Sequence, residues 1–243
     1  AGSGALHVTG GTVAVKELLV GTNSVITFNG GTIISEGTTI DSGTGFIIGD
    51  TGSGATFIAN GGTHNIDTTD TSIFTGLIVG NSGSSNSLVI SNGGTVQSSF
   101  LALGGLPLSA EPSTTSSNNS VLVTGEGSAW NGSTIAVGFS GSGNSMVISH
   151  GGTVANGFGY IGDRATSSNN SALVTGSNSV WTNSGEFTVG VSGAGNTLTL
   201  ADGGALAASN IIVASVAGSS GTLNIGRFGT NDTGGTIVAP TVA

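Results

Sequence analysis

Short apolar segments alternate with turns rich in Gly, Asn and Ser along the whole chain, and the same pattern returns several times. NSMVISHGGTV begins at Asn144, and close copies begin at Asn86 (NSLVISNGGTV) and Asn196 (NTLTLADGGAL). A sister version begins at Asn119 (NSVLVTGEGSAW) and Asn170 (NSALVTGSNSVW). Self-similarity of this kind is typical of repeat proteins, in which each repeat is one unit stacked on its neighbours.

Each unit carries a further apolar segment that stops at a small residue. These segments end at Gly21, Gly49, Gly80, Gly104, Gly138, Gly162, Gly190 and Ala214. Neighbouring ends lie between 24 (104 − 80) and 34 (138 − 104) residues apart, and the two Trp residues mark a double unit of 51 residues (181 − 130). Val, Ile and Thr dominate the segments, and no helical period is sustained. The pattern predicts an all-β fold, namely a right-handed parallel β-helix (β-solenoid) with three short strands per coil and about eight or nine coils.

The repeats predict one continuous solenoid over residues 1–243 rather than separate domains. We expect irregular N-terminal coils over 1–85, regular double-coil repeats over 86–221 and a C-terminal coil over 222–243. An insertion over 104–118 lengthens one coil.

Two columns of residues in the first strand of each repeat stay apolar in every copy, which predicts that they face the core. The columns are Leu88, Val121, Met146, Ala172, Leu198, Leu223 and Ile90, Val123, Ile148, Val174, Leu200, Ile225. The column between them becomes polar at Thr199 and Asn224, so we expect it to face outward. The strand at Val25 is out of step by one residue, which predicts a β-bulge there.

Asn has two predicted roles in the turns. Asn-Gly-Gly turns, with His150 or Asp202 replacing Asn in later copies, indicate positions that need positive φ. A second set of asparagines falls at one corner of successive coils, where side-chain amides can hydrogen-bond along a column. This set is Asn86, Asn119, Asn144, Asn170 and Asn196.

Charge and composition exclude several classes of partner. The net charge is −9 with only three Lys and Arg residues, which argues against nucleic acid and anionic membrane surfaces. The chain has no Cys, so disulfides and thiolate metal sites are impossible. No apolar run is long enough for a spanning helix, so we expect no direct membrane insertion.

Solenoids of this kind often carry polysaccharide-degrading enzymes, whose chemistry needs paired carboxylates or metal-bound carboxylates. Asp202 replaces Asn or His in its column and gains no carboxylate partner from a neighbouring coil. Asp163 and Arg164 are adjacent in a turn and predict a solvated ion pair. The three histidines are far apart in the coil order. The sequence therefore predicts no catalytic residues, no metal site and no cofactor.

Two features leave alternatives open. Counted along the strands, Trp130 and Trp181 fall at the outward parity, with Ala129 and Val180 inward. Either each indole shields small residues, or the two exposed rings form a platform for a sugar chain. The insertion is either a tolerated surface loop or a contact loop that presents Leu106, Pro107 and Leu108.

The stretch GSNSVWTNSGEFTVGVSGAGNTLTLADGGAL, from Gly176 to Leu206, is similar to a known repeat. It resembles the type V secretion/PEP-CTERM-associated repeat of bacterial autotransporter passenger-like proteins, which runs G-S-x-W, L-x-V-G, then G-x-G-x-L-x-I-x-x-G-G-x-V and a closing I-G. The copy from Gly125 to Gly162 matches as well, and the resemblance covers about residues 86–221. The motif carries no catalytic residues. It implies export by a Gram-negative bacterium, followed by display at the cell surface or release.

The leading functional expectation is a non-catalytic structural or adhesive module of a secreted bacterial surface protein. We expect it to continue into further coils or to stack head to tail with itself, because neither end shows an amphipathic helix or a run of charge. A host surface, the matrix or a glycan would be its other partner. The alternative is a glycan-binding module that uses Trp130 and Trp181, and a polysaccharide-active enzyme is third.

Overall fold

The computed structural model describes residues 3–66, 76–105, 116–226 and 232–242, and every regular element in these ranges is a β-strand. The strands form a 17-stranded sheet and a 9-stranded sheet, and all of the strand pairings are parallel. Most strands pair with one strand from an earlier part of the chain and one strand from a later part. This arrangement confirms an all-β fold of stacked parallel strands, consistent with a β-solenoid.

The pairings define three ladders of strands, which we call A, B and C. Ladder A contains β1 (Ala5–Val15), β3 (Val25–Ser35), β6 (Ala55–Asn60), β9 (Ser87–Ser91), β12 (Ser120–Thr124), β15 (Ser145–Ser149), β18 (Ser171–Thr175), β21 (Asn196–Ala201) and β24 (Gly221–Ile225). Ladder B contains β2 (Leu18–Val20), β4 (Thr38–Ile40), β7 (Thr63–Ile66), β10 (Thr95–Ser98), β13 (Ala129–Asn131), β16 (Thr153–Asn156), β19 (Val180–Asn183), β22 (Ala205–Ala207) and β25 (Thr236–Val238). Ladder C contains β5 (Phe46–Ile48), β8 (Leu77–Val79), β11 (Phe100–Leu103), β14 (Thr134–Val137), β17 (Phe158–Ile161), β20 (Glu186–Val189), β23 (Asn210–Val213) and β26 (Thr241–Val242).

Ladders A and C belong to one sheet because β3 is long enough to join them. Its residue Phe28 pairs with Ile48 of β5, while Gly31 to Ser35 pair with β6. The pairing of β1 with β3 also shifts register, so that Asn29 is the extra residue between the pairs Val8–Phe28 and Thr9–Gly30. This shift confirms the bulge predicted for the strand that begins at Val25.

The two apolar columns of ladder A face the core, as predicted. Their members from β9 to β21 are buried, and the residues between them, from Val89 to Thr199, are only half-buried. The prediction is wrong for β24, where Leu223 is partly buried and Ile225 is 57% exposed. No described strand pairs with the far edge of β24, so nothing there covers these side chains.

The N-terminal part of the core is aromatic. Phe28 stacks on Phe46 with ring centroids 6.3 Å apart, and Phe46 meets Phe57 edge-to-face at 5.1 Å. The ring of Phe57 in turn meets the buried imidazole of His64 at 5.9 Å. Large rings fill this part of the interior, where the chain lacks the regular repeat.

The turns have the backbone that the sequence predicts at three places. Asn92, His150 and Asp202 adopt φ values of 54°, 52° and 50°. At the two earlier Asn-Gly-Gly segments the positive φ falls on glycine instead, on Gly31 within strand β3 and on Gly61 and Gly62 after β6, so the turn predicted at Asn29 is wrong. Asn and Asp accept this conformation with little strain, and His is also enriched there.

A pair of variants tests the alternation of the ladder A strands. Ile148 is 1% exposed and its neighbour Val147 is half-buried on the outer face. We expect Ile148→Asp to cost about 3 kcal/mol or more of unfolding free energy, because the carboxylate has no partner in the core. Val147→Asp should cost less than about 1 kcal/mol. Thermal melting followed by circular dichroism would measure both, and equal damage would contradict the alternation.

Candidate functional site

A column of five buried asparagines runs along the corner where the ladder A strands β9, β12, β15, β18 and β21 begin. From Asn119 onwards, each Oδ1 accepts two hydrogen bonds from the asparagine before it, one from the backbone N–H and one from the side-chain amide. These bonds are 2.8–2.9 Å from the backbone and 3.0–3.1 Å from the amide. Ala55 begins the column by donating its N–H to Asn86 at 2.9 Å. The predicted Asn column is therefore confirmed, and we call it the Asn ladder (Asn86, Asn119, Asn144, Asn170, Asn196).

A column of glycines makes room for the Asn ladder. These are the residues that end the apolar strands of ladder C, and their φ values lie between 74° and 78°. A Cβ on Gly104 would lie 2.5 Å from Nδ2 of Asn144, and the other members would overlap an Asn side chain as closely. The facing pairs are Gly49–Asn86, Gly80–Asn119, Gly104–Asn144, Gly138–Asn170 and Gly162–Asn196. These glycines are thus required both for their backbone conformation and for space.

The two tryptophans do not lie where the sequence analysis places them. Both indoles are 0% exposed and belong to the core. The Nε1–H of Trp130 donates to Ser98 Oγ at 3.0 Å, and that of Trp181 donates to Asn156 Oδ1 at 2.8 Å. Trp181 also meets Phe187 edge-to-face, with centroids 4.8 Å apart. The predicted outward orientation is wrong, so these rings cannot stack on a sugar in this structure.

The error comes from the length of the preceding turn. Trp130 follows the core residue Val123 by seven positions, whereas Val154 follows Ile148 by six. The sister repeat therefore has one more turn residue, and a shift of one residue exchanges the two faces of a strand. Trp130 pairs with Val154 of the neighbouring strand, not with Ala155.

Other predicted site residues have mixed outcomes. The contact loop of Leu106, Pro107 and Leu108 lies outside the described residues. Asp163 and Arg164 do form an ion pair, with Oδ2 3.4 Å from Nε. Burial raises the pKa of the Asp163 carboxyl, although Arg164 acts in the opposite direction, so this pair is less solvated than the sequence predicts. Among the described residues, no three His, Cys, Asp or Glu side chains lie close enough to hold a metal ion.

A group of polar and aromatic side chains on the outer face of ladder C was not singled out from the sequence. Phe158, 48% exposed, and Tyr160 lie on the same side of β17, and Glu186 of the adjacent strand directly precedes Phe187, which pairs with Gly159. Burial raises the pKa of the Tyr160 phenol, and the nearby carboxylates of Glu186 and Asp163 raise it further. We call these residues, together with Asp163 and Arg164, the aromatic patch. Its signal in the sequence is the pair of aromatic residues at alternate positions of GFGYIG.

The two ends of the ladders are the other exposed apolar surface. Seven large apolar side chains are exposed among the described residues, and six of them lie towards the ends of the ladders: Leu19, Val25, Val216, Ile225, Val238 and Val242. Within the described chain, β1 and β2 at one end and β24, β25 and β26 at the other each pair along one edge only. An open depression of about 450 Å³ beside β24 is lined by Leu223, Ile225 and Asp232 among others. Unpaired strand edges with apolar neighbours are sites for strand addition.

Comparison with known proteins adds no further assignment. No protein-family model, no curated protein and no solved structure matches this chain. The described residues also form no helix of the length and apolarity needed to cross a membrane.

His64 is a fully buried titratable group whose ring packs against Phe57 of the core. Its Nδ1 lies 2.9 Å from Thr38 Oγ1 and its Nε2 lies 2.8 Å from the carbonyl of Gly61. A carbonyl only accepts, so Nε2 carries a proton and donates it to the Gly61 carbonyl. Burial lowers the pKa of His64, and the bond to Gly61 opposes this shift only in part.

This arrangement makes stability depend on pH in a defined direction. Because the folded-state pKa lies below the unfolded value of about 6.5, the unfolded chain binds the proton first as pH falls. We expect the unfolding free energy to decrease from about pH 7 to about pH 5 through this residue. His64→Leu removes the titration while His7 and His150 remain. The unfolding free energies of the unchanged protein and of His64→Leu, measured by urea denaturation between about pH 5 and about pH 7, should differ by an amount that changes with pH. If the two free energies change in parallel with pH, the role given to His64 is contradicted.

Proposed function

We propose that this chain is a non-catalytic structural or adhesive module of an extracellular bacterial surface protein, and that its ends either continue into further coils of the same chain or stack head to tail on another copy. In finer detail, we propose a right-handed β-helix of about eight or nine coils with three strands each, some 40 Å long at about 4.8 Å per coil. The similarity to the type V secretion/PEP-CTERM-associated repeat supports export to the surface of a Gram-negative bacterium. The observation that carries the proposal is the concentration of exposed apolar side chains and unpaired edges at the two ends.

The direction of the strands supports a head-to-tail contact. All described strand pairs are parallel, so ladders A and B would continue only if β24 and β25 of one copy met β1 and β2 of another. Such a contact joins two different surfaces and does not close on itself, so it generates open filaments. Backbone hydrogen bonds would supply affinity, and the apolar side chains near the ends would be covered.

The charge distribution also favours the ends over the sides. The net charge of −9 disfavours close approach of two copies in general. The strands at the ends, β1, β2, β24, β25 and β26, contain no Asp or Glu, so stacking would bring no strand carboxylates together. The described carboxylates beside these strands are Glu17, between β1 and β2, and Asp232, which lines the depression beside β24.

Two variants that each block one end test this assembly. Leu19→Lys with Val25→Lys would block the N-terminal end, and Ile225→Lys with Val238→Lys would block the C-terminal end, because each adds a charge at an exposed apolar position. We expect the unchanged protein to form filaments whose length grows with concentration, measured by light scattering and negative-stain microscopy. Each blocked variant should be monomeric, and an equimolar mixture should form one-to-one dimers, because one open end of each kind remains.

A side-face control separates end blocking from charge. Val147→Lys with Leu122→Lys adds the same two charges on the outer face of ladder A and should leave filament length unchanged. A monomeric unchanged protein at millimolar concentration, or filaments that are indifferent to both end-blocked variants, would refute head-to-tail assembly.

A further inference from the structure

The aromatic patch contains the one described large apolar residue that is exposed away from the ends. End-to-end stacking covers the exposed residues near β1, β2, β24, β25 and β26 but leaves Phe158 in solvent. Tyr160 lies two residues further along the same strand, on the same face, so the two Cα atoms are about 7 Å apart. The two rings therefore form an aromatic surface on the side of the molecule.

The backbone holds this surface rigidly. Gly159, between the two aromatic residues, faces the interior, where a Cβ would lie 2.5 Å from Cδ2 of Phe187. The ring of Phe158 lies against Gly185, since a Cβ there would be 2.9 Å from its Cε1. Gly159 leaves room for the ring of Phe187 on the inner side of the sheet, and Gly185 leaves room for the ring of Phe158 on the outer side. A surface fixed in this way loses little conformational entropy when a ligand binds.

Fixed polar groups border the rings. Glu186 Oε1 accepts a hydrogen bond from Thr188 Oγ1 at 3.0 Å, and its Oε2 accepts one from Asn210 Nδ2 at 3.3 Å. Each carboxylate oxygen has two lone-pair positions, so each retains capacity for a ligand hydroxyl. The raised pKa of Tyr160 keeps its phenol protonated at neutral pH, so it can donate. On the other side, the Arg164 guanidinium lies 4.9 Å from the ring centre of Phe139 and is paired with Asp163.

These features define the chemistry of a ligand. The patch carries two carboxylates and one guanidinium that is already paired, so phosphate, sulfate and carboxylate ligands would be repelled. The rings lie side by side on a sheet rather than around a cavity, so they do not enclose an ammonium group. A flat ligand with apolar faces and hydroxyl groups at its edge fits both the rings and the acceptors.

We propose that the aromatic patch binds a pyranose residue of a neutral glycan, which stacks on Phe158 and donates hydroxyl hydrogen bonds to Glu186 while it accepts one from Tyr160. The inference rests on the adhesive part of the proposed function and is independent of assembly at the ends. The proposed glycan contact is made by the exposed Phe158 and its neighbours, because Trp130 and Trp181 are buried.

Binding to immobilised neutral glycans (β-glucan, mannan and chitooligosaccharides) tests the proposal, with heparin as the anionic probe and choline as the cationic probe. We expect the protein to bind at least one of the neutral glycans. Phe158→Ala should weaken that binding by about tenfold or more, which corresponds to about 1.4 kcal/mol. Leu122→Ala, on the outer face of ladder A, is the matched control and should bind like the unchanged protein.

The remaining outcomes distinguish the alternatives. Glu186→Gln keeps one acceptor oxygen, so it should weaken neutral glycan binding only modestly, whereas it would abolish binding of a cation. Binding to choline or to heparin alone, no binding to any neutral glycan, or neutral binding unaffected by Phe158→Ala would overturn the proposal. Filament length of Phe158→Ala should equal that of the unchanged protein, so a failure of glycan binding is distinct from a failure of assembly.

Discussion

The Asn ladder is the interaction on which the rest of the structure depends. Five side-chain amides are buried at one corner, and each would be costly there without partners, because an unsatisfied buried polar group costs about 1–3 kcal/mol. Each Oδ1 is satisfied only when the neighbouring strand begins in register, so the amides link the positions of successive ladder A strands from β6 to β21. The facing glycines leave room for the asparagine side chains, and each of these glycines directly follows a strand of ladder C, which fixes where that strand ends. One column of hydrogen bonds therefore fixes two ladders.

This constraint explains where the molecule has exposed surface. Inside the ladders, backbone groups are paired by the strands before and after, and the outer faces present mostly half-buried and polar residues. At the ends the same groups have one neighbour only, and apolar side chains such as Ile225 and Val238 are exposed. Repetition thus produces ends with unpaired strand edges and exposed apolar side chains, and sides whose residues vary from copy to copy. The aromatic patch is one such local variation, placed on the outer face of ladder C without disturbing the inward positions.

Much of this architecture was predictable from the sequence, because repetition shows which positions change and which do not. The apolar columns through Ile148, the positive φ at Asn92 and the Asn ladder all follow from comparing copies within the chain. The site was less predictable. The orientation of Trp130 depended on a turn that is one residue longer in the sister repeat, and parity cannot be counted across a turn of unknown length. Phe158 and Tyr160 were missed because these outer positions vary between copies: the paired residues are Thr134 and Ala136 in β14 and Phe100 and Ala102 in β11, so comparison of the repeats gave no consistent signal.

The unfolding free energy of Gly138→Ala, compared with that of Gly54→Ala, tests the account most directly. The two glycines have φ values of 77° and 75°, so a side chain strains the backbone equally at both. A Cβ on Gly54 meets no atom within 4 Å, whereas one on Gly138 overlaps the amide of Asn170. If the Asn ladder fixes the register, Gly54→Ala should cost about 1–2 kcal/mol and Gly138→Ala at least about 3 kcal/mol in urea denaturation. Equal losses for the two variants would show that the glycine column serves backbone conformation alone, and would contradict the central role of the ladder.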